Sequence, residues 1–402
     1  MTHSLEDLEP LIRRAEHVVR IEELEERLNL GRPLRVKLGV DPTTPDVTLG
    51  WAVPLRKLRE FQEAGHTAVL ILGDFTARIG DPSGKSQTRP QLSIDAVQEY
   101  ARSCLDSLTD IVSEDNLEVR YNSEWLEPLD FGDILRLTSH LTVAQMLERE
   151  DFSKRYSANR PISLVELMYP VMQGYDSVAV RADVELGGTD QLFNLLVARD
   201  LQRAYDQPAQ ICLTLPLLEG LDGVQKMSQS LNNYISVHEK PDVMFGQLMS
   251  IPDSLVVRYG LLAGDFDDGG LAELEAAVAK GGPAAGAAKR RMARRVVEMY
   301  HGAEASEAAE EAFDRQFKQH RAPEDVPDAS LPTYAVEEGA VNLPRLLADL
   351  GLASSRGEAR RLIAQGGVRI GGEQVAAEEV EAESLVGAVL QVGKRRFVRI
   401  TR

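Results

Sequence analysis

The chain has 402 residues, 43% of them hydrophobic and 27% charged, and a formal net charge of −18. This acidic balance argues against non-specific coating of nucleic acid, although it is compatible with a local basic patch. No stretch approaches the roughly 20 apolar residues of a membrane-spanning helix, and the N-terminus lacks the basic and apolar regions of an export signal. The two cysteines, Cys104 and Cys212, exclude a disulfide framework or a thiolate zinc site, so we expect a reducing cytoplasm.

The first elements indicate a βαβ unit. Residues 5–30 carry charges and Leu or Ile at helical spacing, and Arg35–Val40 is predicted to form a strand. A helix follows and stops at Gly65. We expect it to begin only near Pro54, because a proline inside a helix removes a backbone hydrogen bond. Residues 66–76 then form a continuous apolar run, which is typical of a strand buried on both faces of a parallel sheet.

Further strands extend this pattern into an α/β domain. Strands are predicted within residues 117–123, 182–188 and 209–218, with a helical insertion around residues 130–180. In open sheets of this kind, ligands bind beyond the carboxyl ends of the strands. The loops expected to carry a site therefore follow the predicted strands, at residues 41–51, 73–89, 187–191 and 219–230.

The last third of the chain differs in composition. Residues 242–320 are predicted to be helical, and residues 320–333 hold three prolines, which is typical of a linker. From Val341 onward there are ten Lys or Arg against seven Asp or Glu. The pattern there predicts two short helices and then a hairpin that turns at Gly393 and Lys394. A dedicated RNA contact and a solvated basic face both explain this charge.

One glycine-containing loop looks like a phosphate-binding loop. Residues 80–86, GDPSGKS, fail the P-loop spacing because Ile79 stands where glycine is required. They form either a turn that ends the strand, or a loop in which Asp81 accepts hydrogen bonds while Lys85 and Arg89 reach phosphate.

Two further loops join strands to helices. In residues 187–191, GGTDQ, Thr189 and Asp190 either cap the helix or reach for ligand hydroxyls. In the loop before the predicted helix near Pro54, the hydroxyls of Thr43 and Thr48 stand beside free helix-start N–H groups suited to phosphate.

A polar triplet and a polar loop complete the candidate features. Tyr169, Gln173 and Asp176 lie at spacings i, i+4 and i+7, which places them on one helix face. Such a face is either the floor of a polar pocket or, more commonly, a solvated surface. Residues 222–234 form a polar loop with one basic residue, Lys226, and this signal is weak by itself.

Together and in this order, the motifs resemble those of one enzyme family. The similar segments are LGVDPTTPDVTLG, GDFTARIGDPSGKSQTRP, YPVMQGYDS, ELGGTDQLFNLL and DGVQKMSQSLNNYI. They look like successive signatures of bacterial tyrosyl-tRNA synthetases, which are class I synthetases. The resemblance covers essentially the whole chain, and its C-terminal part is similar to an RNA-binding module shared with a small-subunit ribosomal protein.

The resemblance implies an α/β fold with four segments. A Rossmann-like parallel-sheet catalytic domain with an N-terminal helix and a helical insertion is expected at residues 1–222. The signature loop and a helical tRNA-contacting domain follow at residues 223–330. A linker at residues 331–340 then leads to a small α/β RNA-binding domain at residues 341–402.

The resemblance also implies the chemistry of a tyrosine–tRNA ligase. The tyrosine carboxylate attacks the α-phosphate of ATP in line, pyrophosphate leaves, and the tyrosyl group passes to the 3′ end of tyrosine tRNA. Such catalysis depends on positioning and charge stabilisation. The implied partners are tyrosine, ATP with Mg²⁺ as substrate, tyrosine tRNA and a second copy of the chain in a homodimer. No membrane, no tightly bound cofactor and no metal held by the protein are expected.

Site residues carry over position by position. Asp176 is expected to receive the phenol hydroxyl, and a buried polar group there rejects phenylalanine (tyrosyl-tRNA synthetases are the standard example of this effect). The expected tyrosine-binding residues are Asp41, Asp81, Tyr169, Gln173, Asp176 and Gln191. The expected ATP-binding residues are Gly50, Trp51, Gly188, Asp190 and Gln229. The expected catalytic residues are Thr43, Thr48, Lys85, Arg89, Lys226, Ser228 and Ser230. The expected RNA contacts are Lys289, Arg290, Arg294, Arg356, Arg360, Arg361, Lys394 and Arg395.

Two signatures depart from the family pattern. Where the family has His-Ile/Leu-Gly-His, this chain has Thr48-Leu49-Gly50-Trp51, and Gln229 replaces the second lysine of Lys-Met-Ser-Lys-Ser. Losing one preorganised donor to a transition state costs about 2.7–4 kcal/mol, or roughly 10²–10³ in rate. Trp51 either blocks the nucleotide or stacks on its base. The alternative to a ligase of reduced activity is therefore a synthetase-like protein that binds tyrosine or RNA without efficient adenylation.

Overall fold

The computed structural model describes residues 5–42, 46–81, 94–317, 326–332, 336–337, 339–393 and 396–401. The described helices are α1 Leu5–Ile12, α2 Ile21–Leu28, α3 Leu49–Glu63, α4 Ile94–Thr109, α5 Ser123–Leu126, α6 Phe131–Thr138, α7 Val143–Met146, α8 Glu150–Ser157, α9 Leu164–Val180, α10 Leu192–Ala204, α11 Pro241–Ser250, α12 Val256–Leu262, α13 Asp268–Lys280, α14 Gly282–His301, α15 Ala303–Phe317, α16 Leu343–Asp349, α17 Arg356–Ala364 and α18 Ala382–Leu385.

The described strands are β1 His17–Val19, β2 Arg35–Val40, β3 Thr67–Leu72, β4 Leu117–Tyr121, β5 Val184–Gly188, β6 Ile211–Leu215, β7 Asp328–Ser330, β8 Val336–Glu337, β9 Ala340–Asn342, β10 Val368–Ile370, β11 Glu373–Gln374, β12 Glu379–Glu381, β13 Val389–Val392 and β14 Arg396–Thr401. Short 3₁₀ helices lie at Thr76–Arg78, Thr189–Gln191, Gln229–Leu231 and Asp253–Leu255. Among the residues that the structure describes, no helix combines the length and hydropathy needed to cross a bilayer.

The chain divides into two compact units. One comprises residues 1–239 with 247–292, and the other residues 240–246 with 293–402. The domain boundaries that the resemblance implies, at residues 222, 330 and 340, stay predictions.

The first unit is built on a six-stranded sheet in the order β1-β6-β5-β2-β3-β4. Strands β2 to β6 run parallel to their neighbours, while β1 pairs with β6 antiparallel, with His17 opposite Thr214. This confirms the predicted parallel sheet. The chain proceeds from β2 through β3 to β4 on one side and continues with β5 and β6 on the other. Such a switch point opens a crevice at the carboxyl ends of the adjoining strands.

Apolar burial explains how this sheet and its helices are positioned. Every residue of β6 and all but the first of β3 are buried, as expected for strands covered on both faces. Helices α9 and α10 pack closely through Gly174, where a Cβ would lie 2.8 Å from Leu201 Cδ1 and 3.2 Å from the Ala198 backbone. This close packing fixes the helix face that carries the predicted polar triplet.

Two predictions near the N-terminus were wrong. Residues 5–30 are interrupted by β1, because its backbone completes the edge of the sheet beside β6. Helix α3 begins at Leu49 rather than near Pro54. The Thr48 hydroxyl accepts a hydrogen bond from the Trp51 N–H at 3.3 Å and so caps the helix start. Pro54 is tolerated within α3, where the Gly50 carbonyl loses the N–H that would otherwise donate to it.

The second unit contains a small α/β module with its own core. Helices α16 and α17 pack on a five-stranded sheet in the order β11-β10-β13-β14-β7, and a three-stranded sheet has the order β12-β9-β8. Its core includes Leu343, Leu346, Ile363, Leu390 and Ile400. The predicted pair of helices and the hairpin β13–β14 are confirmed, while Lys394 and Arg395 lie outside the described residues.

Candidate active site

A cavity of about 640 Å³ lies at the carboxyl ends of β2, β3, β5 and β6. All of the described residues expected to bind tyrosine or ATP, or to act in catalysis, line it. They are Asp41, Thr48, Gly50, Trp51, Asp81, Tyr169, Gln173, Asp176, Gly188, Asp190, Gln191, Lys226, Ser228, Gln229 and Ser230. Thr43, Lys85 and Arg89 lie outside the described residues.

One face of α9 forms part of the cavity wall. Tyr169, Gln173 and Asp176 all line the cavity, so the solvated-face explanation of this triplet was wrong. The Tyr169 hydroxyl donates to Asp41 Oδ2 at 2.7 Å, and Thr76 Oγ1 donates to Asp41 Oδ1 at 2.8 Å. Burial and then the charge of Asp41 raise the pKa of Tyr169 well above its usual range. The Tyr169 hydroxyl therefore stays protonated and donates its hydrogen bond to Asp41.

Asp176 is buried, and both of its oxygens accept hydrogen bonds from protein donors. Trp125 Nε1 donates to Oδ1 at 2.8 Å, and Asn122 Nδ2 lies 3.4 Å from Oδ2. Burial raises the pKa of the Asp176 carboxyl to about 7, although Lys37, Trp125 and Asn122 favour its ionised form. A buried carboxylate held in this way is a strong acceptor for a hydroxyl that enters the cavity.

The side of the cavity where ATP is expected contains an ion pair between two loops. Lys226 Nζ lies 2.6 Å from Asp190 Oδ2. No side-chain cap is seen at the 3₁₀ turn Thr189–Gln191 or at the start of α10, so capping does not explain Thr189 and Asp190. Asp190 instead forms an ion pair with Lys226, which is itself expected to contact phosphate.

The loop after β6 folds over the start of α3. Leu49 N–H donates to the Ile235 carbonyl at 2.9 Å, and Gly50 N–H to Met227 Sδ at 3.3 Å. Together with Trp51 N–H, which donates to Thr48, the first three amides of the helix are occupied. The prediction of free helix-start N–H groups for phosphate was therefore wrong, because this loop and the cap already satisfy them.

Asn233 and Gln229 hold this loop in place. Asn233 Oδ1 accepts from Ser228 N–H at 2.8 Å, while its Nδ2 donates to Asp222 Oδ2 at 2.8 Å and to the Lys226 carbonyl at 3.2 Å. Gln229 Nε2 donates to the Asp46 carbonyl at 2.6 Å. The position where the family pattern has a second lysine is thus a tether between two loops.

The predicted RNA contacts differ in exposure. Arg356, Arg360 and Arg361 are exposed on α17, although Arg360 also pairs with Glu378 at 3.0 Å. On α14, Arg294 is exposed and lies 3.3 Å from Glu310, and Arg290 is half-buried. Lys289 is not placed for RNA. It is buried and donates to the Ile251 carbonyl at 2.7 Å, and it pairs with Asp253 at 2.5 Å.

Comparison with known proteins identifies the family. Residues 29–318 match the family described as tRNA synthetases class I (W and Y), and residues 341–380 match the S4 domain. The chain is 49% identical to the tyrosine–tRNA ligase of Salinibacter ruber, covering 98% of this chain and 96% of that protein. It is 48% identical to that of Moorella thermoacetica, covering 94% and 90%.

The chain belongs to the tyrosine–tRNA ligase family. Its fold is also similar to a tyrosyl-tRNA synthetase from Archaeoglobus fulgidus complexed with L-tyrosine, with a TM-score of 0.60 and 22% identity, covering 76% of this chain and 98% of that one. A mitochondrial tyrosyl-tRNA synthetase from Aspergillus nidulans gives a TM-score of 0.60 at 21% identity, covering 77% and 93%.

Several polar side chains of the site were not predicted. Asn122 and Trp125 lie directly after β4, and Thr76 in the short turn after β3. A search of the segment after the strand predicted at residues 117–123 would have found Trp125, whereas Asn122 was itself placed inside that predicted strand, which ends at Tyr121 in the structure. Asn194, behind the cavity on α10, carries no comparable signal because its role depends on contacts with α9.

Proposed function

We propose that this chain activates tyrosine with ATP to form tyrosyl-adenylate and transfers the tyrosyl group to tyrosine tRNA. The observation that carries the proposal is the pair of donors, Trp125 and Asn122, that holds the buried Asp176 carboxylate in the cavity wall. A site that pairs a substrate hydroxyl with a buried polar group rejects the analogue without it, because the protein group would then be left unpaired. Phenylalanine is that analogue for tyrosine.

In this mechanism the residues bind and orient both substrates. Asp176 accepts the phenol hydroxyl, while Asp41, Asp81, Tyr169, Gln173 and Gln191 surround the substrate amine. The tyrosine carboxylate then attacks the α-phosphate in line, which is catalysis by positioning. Gly188 and Asp190 contact the ribose of ATP. With the amides that begin α3 already occupied, stabilisation of the leaving pyrophosphate falls to Lys226 and, in the proposal, to Lys85 and Arg89.

Tyrosine-dependent exchange of pyrophosphate into ATP tests this function. We expect exchange by the purified chain, and a loss of at least about 100-fold in kcat/KM for tyrosine in Asp176→Asn, since a charged hydrogen-bond partner is removed. Asp200→Asn makes the same chemical change at an exposed residue of α10 that pairs with Arg203. Its exchange should match the unchanged chain. Tyrosine binding without any exchange would contradict the proposal.

The impaired alternative has its own supporting observations. Trp51 lines the nucleotide side of the cavity, and Gln229 tethers a loop where a lysine is expected. Calorimetry with ATP separates the two functions. Productive ATP binding with turnover supports the ligase, whereas tyrosine or RNA binding without ATP binding supports the alternative.

For the assembly we propose a homodimer formed through the helical insertion. This segment carries four strongly exposed apolar side chains, Phe131, Leu135, Val143 and Leu164, with exposed fractions of 55–81%. Large exposed apolar patches are typical of protein interfaces. Leu135→Asp should convert a dimer to a monomer in sedimentation, while Leu30→Asp, at another exposed leucine, should not. A monomeric unchanged chain would contradict the proposal.

The proposal also covers Mg²⁺ and the cellular compartment. Mg²⁺ binds the ATP phosphates and enters with them, rather than being held by a set of protein ligands, because it prefers such oxygen ligands. The described residues contain no group of three His, Cys, Asp or Glu side chains arranged for a metal. We place the reaction in the cytoplasm, where tRNA is charged. Cys104 and Cys212 are buried and not disulfide-bonded, which suits that reducing compartment.

A further inference from the structure

Three side-chain amides meet beside the expected amine subsite. Gln173 lies on α9 and Gln191 immediately before α10, and both line the cavity. Asn194, in the first turn of α10, is fully buried behind them. Its Nδ2 donates to Gln173 Oε1 at 2.9 Å and to Gln191 Oε1 at 3.0 Å. Both hydrogens of the Asn194 amide are therefore used to hold two glutamine carbonyls.

A buried cation fixes the direction of the Asn194 amide. Arg149 Nη1 donates to Asn194 Oδ1 at 3.2 Å, and a guanidinium can only donate. Arg149 is itself held by Asp151, at 2.7 and 2.8 Å, and stacks on the Phe152 ring at 4.5 Å. Because the Asn194 oxygen must face Arg149, its NH₂ group must face the two glutamines.

Carboxylates fix the other end of each glutamine. Gln191 Nε2 donates to Asp81 Oδ2 at 2.7 Å, and Gln173 Nε2 to Glu185 Oε1 at 3.3 Å. Glu185 forms a fully buried ion pair of 2.9 Å with Lys37. A carboxylate only accepts hydrogen bonds. Exchanging the oxygen and NH₂ positions of any one of these amides would therefore place two donors, or two acceptors, against each other.

This network suits a cationic ligand. Each glutamine oxygen has two lone pairs, and Asn194 uses only one of them. The glutamine NH₂ groups, which would repel an ammonium, are hydrogen-bonded to the two carboxylates instead. We propose that Asn194, oriented by Arg149, is the positioning residue that sets the polarity of the subsite for the substrate ammonium. The inference rests on the proposed function and extends it to a residue that does not itself line the cavity.

Calorimetry with two ligands tests the proposal. The ligands are tyrosine and 3-(4-hydroxyphenyl)propanoate, which lacks only the amine. Asn194→Leu should raise the Kd for tyrosine about 10- to 100-fold, the value of hydrogen bonds to a charged group, and leave the Kd for the deamino ligand within about 2-fold. Asn194→Ser keeps one donor and should give a smaller change of the same selectivity.

A matched control removes another buried amide from the same helix. Gln202 on α10 donates to the Ala182 carbonyl at 2.9 Å and is not among the residues that line the cavity. Gln202→Leu should lower the Tm while leaving the Kd for both ligands unchanged.

Equal weakening of both ligands in the Asn194 variants would show a purely structural role and overturn the proposal, as would unchanged tyrosine binding. If Asn194→Leu does not fold, Asn194→Ser is judged by the same ratio of Kd values. Failure of the unchanged chain to bind tyrosine would overturn the proposed function itself, and the positioning role with it. That outcome is distinct from loss of selectivity in the variants.

Discussion

Trp125 on α5 donates its indole hydrogen to Asp176 on α9 over 2.8 Å. The bond joins the short helix that follows β4 to the residue expected to recognise the phenol, so the acceptor is held before any ligand arrives. Asn122 supports the second oxygen and also donates to Thr76 at 3.0 Å. Three post-strand side chains thereby support one carboxylate.

This relationship predicts a pH dependence for tyrosine activation. The pKa of Asp176 is raised by burial to about 7, and the ionised carboxylate is the form that best accepts the phenol hydrogen. The kcat/KM for tyrosine should therefore rise as pH increases through about 7. Trp125→Phe removes a donor to the ionised form, so the midpoint should move to higher pH. An unchanged midpoint in the exchange assay would contradict this role.

Asn233 gives a prediction for the nucleotide side. Asn233→Ala removes three hydrogen bonds that hold residues 222, 226 and 228 together. With net values of about 0.5–1.5 kcal/mol each, kcat/KM for ATP should fall at least about 10-fold. The KM for tyrosine serves as the internal control and should change little, because the three residues that Asn233 holds are not among those expected to bind tyrosine. Equal effects on both substrates would indicate general destabilisation instead.

Restoring the family signatures should accelerate the reaction. Trp51→His with Gln229→Lys supplies two donors where ATP is expected, and the exchange rate should rise at least about 10-fold. Thr48→His is predicted to behave differently. It removes the cap of α3, which costs about 0.5–2 kcal/mol of stability. Exchange kinetics and thermal unfolding of the separate variants distinguish these effects. No gain from the first pair would show that these positions do not limit the rate.

Exposure predicts which basic residues contact tRNA. Neutralising Arg356, Arg360 and Arg361 together should weaken tRNA binding more than about 10-fold and lower the salt slope by roughly 0.7–0.9 per lost phosphate contact. Lys289→Met should instead lower thermal stability with little change in tRNA affinity, because Lys289 is buried beside Asp253. Filter binding across salt concentrations measures the tRNA affinity of both variants. A smaller loss for the triple variant than for Lys289→Met would reverse the assignment.

The sequence predicted those features that depend on local periodicity. Strand β3 belongs to a continuous apolar run, β2 has Val, Leu and Val at alternate positions, and the face of α9 follows from helical spacing, so these features were predicted from short windows. The family resemblance supplied the positions that now line the cavity. Their roles stay predictions, since side-chain placement does not itself measure binding.

Long-range contacts account for what the sequence did not predict. Strand β1 forms because β6 offers an edge nearly 200 residues later, and the start of α3 is stabilised by Ile235 and Met227 as well as by Thr48. Lys289 belongs to a basic run, but the partners that bury it lie at residues 251 and 253. None of these partners is visible in a window of local sequence.

The pairing of β1 with β6 also bears on how the protein is made. His17 and Thr214 are opposite each other, so β1 leaves the ribosome nearly 200 residues before the strand with which it pairs. Loops this long slow folding, because chain entropy is lost before contacts form. Until β6 emerges, β1 and one edge of β5 lack their strand partner, and this is the stage at which chaperones would protect the nascent domain from aggregation.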